Sequence, residues 1–368
     1  MKLKILRLEY YRNIAFAELV FDSRCVFFSG SNGQGKSNIL ESMGLLTALR
    51  SFRGHALPLL IQQGKDRAQL YFEGQHDTEE TFRLRMKFRP EGKQLWCNEE
   101  YISRSTDWIG LYPVIVFSNR NKMWIHGGPK DRRQFFDILL SQLDTSYLRS
   151  LKNYYISLKH RNAALKQSQF HILSSFESIL AKEAVAIAEK RQKWSSIFNE
   201  YFISWYKKIS QKDIEQPNLQ YEYDTESALL ASEDFWLQSR EKDKLWQTTQ
   251  HGIHRDEYLL QLQGNAVRLF ASEGQQENIV LAMNFAQMEL IKSIKKETPL
   301  ILLDDVGSEL DPLRRERLWN AIPHECQIFA CGTQFPKELC EKNWQHWHIH
   351  EGICSLENAV KIRQQKER

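Results

Sequence analysis

The run Gly30-Ser31-Asn32-Gly33-Gln34-Gly35-Lys36-Ser37 has the residue types and spacing to hold a triphosphate. It meets G-x-x-x-x-G-K-[ST] at every fixed position. Its glycines let the backbone turn tightly enough for N–H groups to converge on phosphate oxygens. Lys36 would set a positive charge against the β- and γ-phosphates, and the Ser37 hydroxyl would ligate Mg²⁺. The flanks suit this chemistry. Cys25-Val26-Phe27-Phe28 is a short apolar run, as in a buried strand. From Asn38 to Leu46 the apolar residues fall at helical spacing, so the phosphates would meet a helix N-terminus.

A second constellation lies far along the chain. Leu300-Ile301-Leu302-Leu303-Asp304-Asp305 is an apolar strand ending in paired carboxylates, the Walker B pattern. Such a strand would bring Asp304 beside Ser37, to hold Mg²⁺ directly or through water. Asp305 would activate or orient a water in line with the γ-phosphate. Adjacent carboxylates repel, and a metal–nucleotide complex relieves that repulsion. Gly307-Ser308-Glu309-Leu310-Asp311-Pro312 follows and resembles the D-loop of ABC-type ATPases. Upstream, Ser272-Glu273-Gly274-Gln275-Gln276 resembles their signature motif. There the Ser272 hydroxyl, Gly274, Gln275 and a helix N-terminus would face an anion. One polypeptide does not easily bring both cradles to one γ-phosphate. The order of motifs therefore predicts ATP held between two copies, head to tail, with C2 symmetry.

The elements that must position these residues follow from periodicity. Lys2 to Glu9 alternates, Gln69 to Glu73 is apolar, and Thr81 to Phe88 alternates strictly, as half-buried strands do. Val114 to Phe117 reads as a buried strand. Helices are expected over 131–143, 146–167 and 174–210; the last has apolar residues three and four apart. Tyr258–Gln263 and Ala266–Phe270 read as strands around the Gly264-Asn265 turn, with a helix over 275–296. Leu300–Leu303 and Gln327–Cys331 complete the buried strands. The fold class is therefore α/β. Residues 1–120 and 251–368 are expected to form an ABC-type P-loop ATPase lobe, with the signature motif 272–276 near its boundary, and 121–250 an inserted, mainly helical lobe.

Bulk composition narrows the class. The 368 residues suffice for two lobes, and a net charge of +4 permits a nucleic-acid partner. Six scattered cysteines include no C-x-x-C pair and read as reduced thiols of a cytoplasmic protein. No apolar run approaches the roughly eighteen residues of a membrane span. His346, His348 and His350 share one strand face, where exposed imidazoles are the expected role and a metal the lesser alternative.

Beyond the nucleotide motifs, the chain resembles RecF, the recombination-mediator family of the SMC branch of ABC ATPases. The likeness runs over nearly the whole length. It rests on Tyr11-Arg12-Asn13, on the extended loop Gly30 to Ser42, and on Arg50-Ser51-Phe52-Arg53. It rests further on Gly128 to Asp137, on Tyr154 to Leu165, and on Gly252-Ile253-His254-Arg255-Asp256-Glu257. Where the family usually has Phe-Ser-Pro-Glu-Asp, this chain has Phe117-Ser118-Asn119-Arg120-Asn121 and lacks the acidic residues. Glu273 stands where Gln is common, and Gly307 where an aromatic residue is frequent.

The resemblance implies an ATP-dependent homodimer on duplex DNA near single-strand junctions. Slow hydrolysis resets it, and RecR-like and RecO-like mediators help it aid recombinase loading. It implies ATP and Mg²⁺ as cofactors, a nucleoid-associated cytoplasmic location and no membrane. It puts Arg12 and Asn13 near the nucleotide and Thr333 at the switch position near the γ-phosphate. Arg50, Arg53, Lys130, Arg132, Arg133, Lys207 and Lys208 are candidate phosphate contacts.

Other classes share some of these motifs. An ABC transporter motor subunit would copurify with membranes. A small-molecule kinase would stay monomeric with ATP and have no use for Ser272 or Asp311. An SMC head would need a far longer insertion for its arms.

Overall fold

The computed structural model describes residues 1–212, 214–305, 312–335 and 344–357. The D-loop residues 307–311, Cys340 and the tail from 361 lie outside them. The chain divides into two compact units, 1–121 with the segment from 291 onward, and 122–290.

Strands β1 (Lys2–Tyr11), β2 (Ile14–Val20), β3 (Cys25–Ser29), β4 (Ala68–Gln75), β5 (Thr81–Arg89), β6 (Gly92–Cys97), β7 (Glu100–Ile102) and β8 (Val114–Ser118) precede the first crossing between units. The second unit holds β9 (Pro217–Glu222), β10 (Glu257–Leu262) and β11 (Asn265–Ala266). The chain then returns with β12 (Leu300–Asp304), β13 (Ile328–Gly332), β14 (Trp344–His350) and β15 (Ile353–Glu357). Helix α1 (Lys36–Ala48) belongs to the first unit. The inserted helices are α2 (Met123–His126), α3 (Pro129–Leu143), α4 (Thr145–Lys166), α5 (Leu173–Ser210), α6 (Ser227–Leu230), α7 (Glu233–Trp246) and α8 (Val267–Phe270). Helix α9 (Glu273–Lys295) runs across the boundary at 290.

The first unit contains an antiparallel sheet, β2-β1-β4-β5-β6-β7, and a mostly parallel sheet, β15-β14-β3-β13-β12-β8. Leu70, Phe72, Leu84 and Met86 from the first share one core with Val26 and Phe28 from the second and with Ile39, Leu40 and Met43 of α1. The alternation at the N-terminus hides an irregularity. The β1–β4 register shifts between Leu3 and Ile5, so Leu3, Leu6 and Leu8 all point inward.

In the second unit α4 and α5 pack together beside the three-stranded sheet β11-β10-β9. The apolar stripe of α5 buries Ile187, Phe198, Phe202, Trp205 and Ile209. Trp205 stacks on Phe285 of α9 with ring centroids 4.5 Å apart. Residues 251–290, which periodicity alone groups with the ATPase lobe, fall in this second unit. The pairing of β10 with β9 ties them there.

One expected strand is corrected. Only Asn265 and Ala266 pair with β10, and Val267–Phe270 form a turn of helix. Val267 is buried while Leu269 and Phe270 are 73% and 70% exposed, so the segment lacks the partner strand that would extend it. The histidine row is also graded: His346 is buried against Phe27 and Phe335, while His350 is exposed. Among the described residues no three His, Cys, Asp or Glu side chains gather into a metal-binding group.

Candidate nucleotide site

Parallel strands place their C-terminal ends together, and loops leaving those ends form the crevice where open α/β sheets bind ligands. Here β3 pairs with β13 through Gly332↔Ser29, and β12 pairs with β13 through Asp304↔Cys331. Three loops therefore leave neighbouring strand ends. They are the glycine loop after Ser29, the turn at Asp305 and the exposed Thr333.

The glycine loop has the backbone its composition demands. Gly30, Gly33 and Gly35 have φ of 145°, 80° and 118°. A side chain on Gly30 would put its Cβ 2.3 Å from the Ile349 carbonyl oxygen, whereas Gly33 faces open space. The Lys36 ammonium lies back over the loop, donating to the Gly30 carbonyl at 2.7 Å and the Ser31 carbonyl at 2.8 Å. It is 6% exposed, and among the described residues no carboxylate pairs with it. A buried cation with only carbonyl acceptors is poorly compensated. That cation, beside the backbone amides at the start of α1, is the charge that a phosphate would complement. Asp304 accepts a hydrogen bond from the Cys331 thiol at 3.2 Å, and the neighbouring Asp305 has φ of 59°. Aspartate tolerates that left-handed conformation better than most residues. The carboxylates of Asp304 and Asp305 and the Ser37 hydroxyl are oxygen donors of the kind Mg²⁺ takes, carried by loops that leave neighbouring strands of one sheet.

A chain of amides links Asn13 to the loop. Asn13 Nδ2 donates to the Gln34 carbonyl at 2.9 Å, Asn38 Nδ2 donates to Asn13 Oδ1 at 2.8 Å, and Arg53 Nη1 donates to Asn38 Oδ1 at 3.1 Å. Arg12 does otherwise: its guanidinium grips Glu41 at 3.1 and 3.2 Å and reaches the Leu59 carbonyl. Ser51 and His55 also bond Glu41, whose carboxylate is fully buried. Burial alone would raise its pKa, but these bonds outweigh burial and hold it below the usual carboxylate range. Glu41 and Ser51 lie in stretches that carry the family resemblance, but sequence assigns neither of them, nor His55, a role in the site. The apolar run around Glu41 in α1 is the one signal that could have marked it. The loop after β8 closes on itself, Ser118 donating to Asn121 Oδ1 and Asn121 donating back to the Val116 carbonyl.

The Ser272 segment lies in the second unit. Ser272 N donates to Gln275 Oε1 at 2.9 Å, and Gln275 N donates to Ser272 Oγ at 3.3 Å, a reciprocal cap on α9. Gln275 Nε2 also donates to Glu215. Ser272 and Glu273 are exposed, with Gly274 half-buried at the first turn. Arg132 of the proposed phosphate contacts is committed to Glu257 through two bonds of 2.9 and 2.8 Å. Arg133 donates to the Asp256 carbonyl, whereas Arg50, Lys130, Lys207 and Lys208 are exposed.

The family model described as RecF/RecN/SMC N terminal domain matches residues 2–335. A protein of Exiguobacterium called DNA replication and repair protein RecF is 32% identical over 374 residues, covering 98% of this chain and 100% of its own. The namesake of Bacteroides thetaiotaomicron is 32% identical over 341 residues, covering 90% and 91%. The chain belongs to the RecF family. A solved RecF structure, described as the recombination mediator RecF with ATP in the RecFOR pathway, superposes with a TM-score of 0.88. It is 25% identical and covers 97% of this chain and 98% of its own. The Smc head of Pyrococcus furiosus shares the fold at a TM-score of 0.55 and 16% identity. RecF membership makes the chain an ABC-type ATPase of the SMC branch and displaces the transporter-motor alternative.

Proposed function

We propose that this chain is an ATP-dependent DNA clamp of replication and recombinational repair. Two copies close head to tail over shared triphosphates and grip duplex DNA near single-strand gaps. Slow hydrolysis reopens them. RecR-like and RecO-like proteins are the partners, recombinase loading is the outcome, and the cytoplasmic nucleoid is the location. The observation that carries this reading is the meeting of the glycine loop, Asp304–Asp305 and Thr333 at one end of a parallel sheet, in a RecF-family chain.

The residues divide the work. Backbone amides of 30–38 and the Lys36 ammonium bind the phosphates, and Lys36 swings from its carbonyl partners to do so. Asn13 fixes the loop through the Gln34 carbonyl. Arg12 braces α1 through Glu41. Ser37 and Asp304 would hold Mg²⁺, which supplies charge neutralisation on the phosphates. Asp305 orients the attacking water and takes its proton, and Thr333 senses the γ-phosphate end. Ser272, Gly274 and Gln275 of the second copy present the amide end of α9 to the same triphosphate. Analytical ultracentrifugation with ATP, with ADP and with neither, with and without gapped duplex, tests the reading. A dimer specific to ATP and strengthened by DNA supports it, and a mass indifferent to ATP removes it.

A further inference from the structure

The strictly alternating run in β5 has an outer face the clamp does not use. Phe82, Leu84, Met86 and Phe88 point into the core, so Arg83, Arg85, Lys87 and Arg89 stand on the opposite, solvent side. Cross-strand register puts aromatic rings among them. Arg7 pairs with Tyr71, Tyr71 with Arg85, Arg85 with Trp96, and Trp96 with Tyr101. One row of the antiparallel sheet thus alternates cation and ring across four strands and ends on a second ring, Tyr101, on the fifth. The Arg85 guanidinium lies 4.3 Å from the Trp96 ring centroid, and Arg7 lies 5.0 Å from that of Tyr71. Trp96 and Tyr101 meet edge to face at 5.8 Å, and Tyr101 is 58% exposed.

Charge on this face is lopsided. Glu18 is spent on Arg7, Glu73 on Arg83 and the Tyr71 hydroxyl, and Glu9 stands apart on β1, opposite Gln69. Among the described residues no carboxylate pairs with Arg85, Lys87 or Arg89. Glu100 is opposite Cys97, on the other face of its hairpin.

We propose that this outer face of β4 to β7 binds single-stranded nucleic acid, a surface separate from the duplex grip. Unpaired bases stack on Trp96 and Tyr101, with Tyr71 two strands away, while Arg85, Lys87 and Arg89 neutralise the phosphates beside them. A duplex hides its base faces, so rings on a flat sheet select single strands. Stacking accepts any base, and no sequence preference follows. The surface lies within one copy and involves none of the nucleotide-site residues, so it works without ATP and without dimerisation.

The test uses the full chain without nucleotide and a fluorescein-labelled oligothymidylate of about twelve nucleotides. Anisotropy should show binding whose salt slope is near −2, about 0.7 for each of three cations. The double variant Trp96→Ala, Tyr101→Ala should bind at least roughly tenfold more weakly, with the affinity for ATP unchanged. Trp96→Phe should restore most of the binding, since a ring remains. Arg85→Gln with Lys87→Gln and Arg89→Gln should flatten the salt slope. Photocrosslinking of bromodeoxyuridine oligonucleotide to the unaltered protein should mark Trp96 or Tyr101 whatever the variants do. Full binding by the aromatic double variant overturns the proposal. So does equal loss on duplex of the same length, crosslinking confined to other segments, or no binding without nucleotide. Failure of ATP-driven dimerisation would touch the clamp reading and leave this surface standing.

Discussion

The backbone N–H of Gly352 donates to the Gln34 carbonyl at 3.0 Å, fastening the β14–β15 hairpin to the phosphate-binding loop. Glu351 N adds a bond to Gln34 Oε1 at 2.6 Å. Glu351 and Gly352 both have positive φ, 47° and 78°, as a tight two-residue hairpin turn requires. A Cβ on Gly352 would lie 2.3 Å from the Asn13 carbonyl oxygen. A strand more than 300 residues downstream in sequence thus sets the shape of the loop.

Gly352→Val should push the hairpin tip off Asn13 and Gln34 and weaken ATP binding by roughly tenfold, about 1.4 kcal/mol. Calorimetric titration of ATP into the folded variant checks this. Wild-type affinity with native circular dichroism would show that the loop keeps its shape unaided.

Lys36→Ala should abolish tight ATP binding. The ammonium is the buried charge of the loop, and alanine leaves the Gly30 and Ser31 carbonyls to face the phosphates. Unchanged affinity for a fluorescent ATP analogue would remove the assignment of this loop.

Asp305→Asn should bind ATP and accumulate as a dimer, because the water-activating carboxylate is gone while the phosphate cradle is intact. Ser272→Arg should bind ATP equally well yet remain monomeric, its bulk filling the exposed start of α9. Light scattering with ATP reads both. A monomeric Asp305→Asn, or a dimeric Ser272→Arg, contradicts head-to-tail closure.

His254 gives a pH dependence. It accepts from the Tyr154 hydroxyl at Nδ1, 2.8 Å away, and donates from Nε2 to the Thr249 carbonyl. Burial, followed by the nearby Arg255 and Arg133, pushes its pKa down to about 4; the Thr249 bond only partly opposes this. A histidine depressed in the folded state takes up its proton on unfolding. Its contribution is therefore complete above about pH 6.5 and shrinks as pH falls toward 4. Urea midpoints should drop across that window in the native chain and drop less in His254→Asn. Equal slopes would show that other groups set the pH response.

Arg191 is fully buried and bonds Asp137, Asp256, the Tyr147 hydroxyl and the Ile253 carbonyl. Arg191→Met strands two carboxylates and should cost about 3–5 kcal/mol of stability in the second unit. Chemical denaturation measures it. A loss under about 1 kcal/mol would mean that the acids find other partners or protonate cheaply.

The backbone of the candidate site is legible in the sequence because its pattern is local. The glycine loop needs adjacent glycines, a lysine and a hydroxyl, and Asp304–Asp305 needs an apolar strand before it. Strict alternation likewise placed β5, and three-four spacing placed α5 within a residue of its observed start. The composition of Ala266–Phe270 suits a strand, but among the described residues no neighbour pairs with it beyond Ala266. Arg161 and Arg191 were invisible, since a charged residue on an amphipathic helix reads as solvated until partners from distant segments bury it. Glu41 is the same case within the nucleotide site.

Residue order by itself determined where the backbone turns through glycines before a helix, which carboxylates end a buried strand, and which family the chain resembles. These depend on conformational freedom and short-range spacing, properties a linear pattern carries. Folding in three dimensions decided that Arg12 serves Glu41, that Gln34 is held by Gly352, and that cations and rings share one outer row of a sheet. Those relations come from strand register and long-range packing, where a shift of one residue would turn every side chain to the other face.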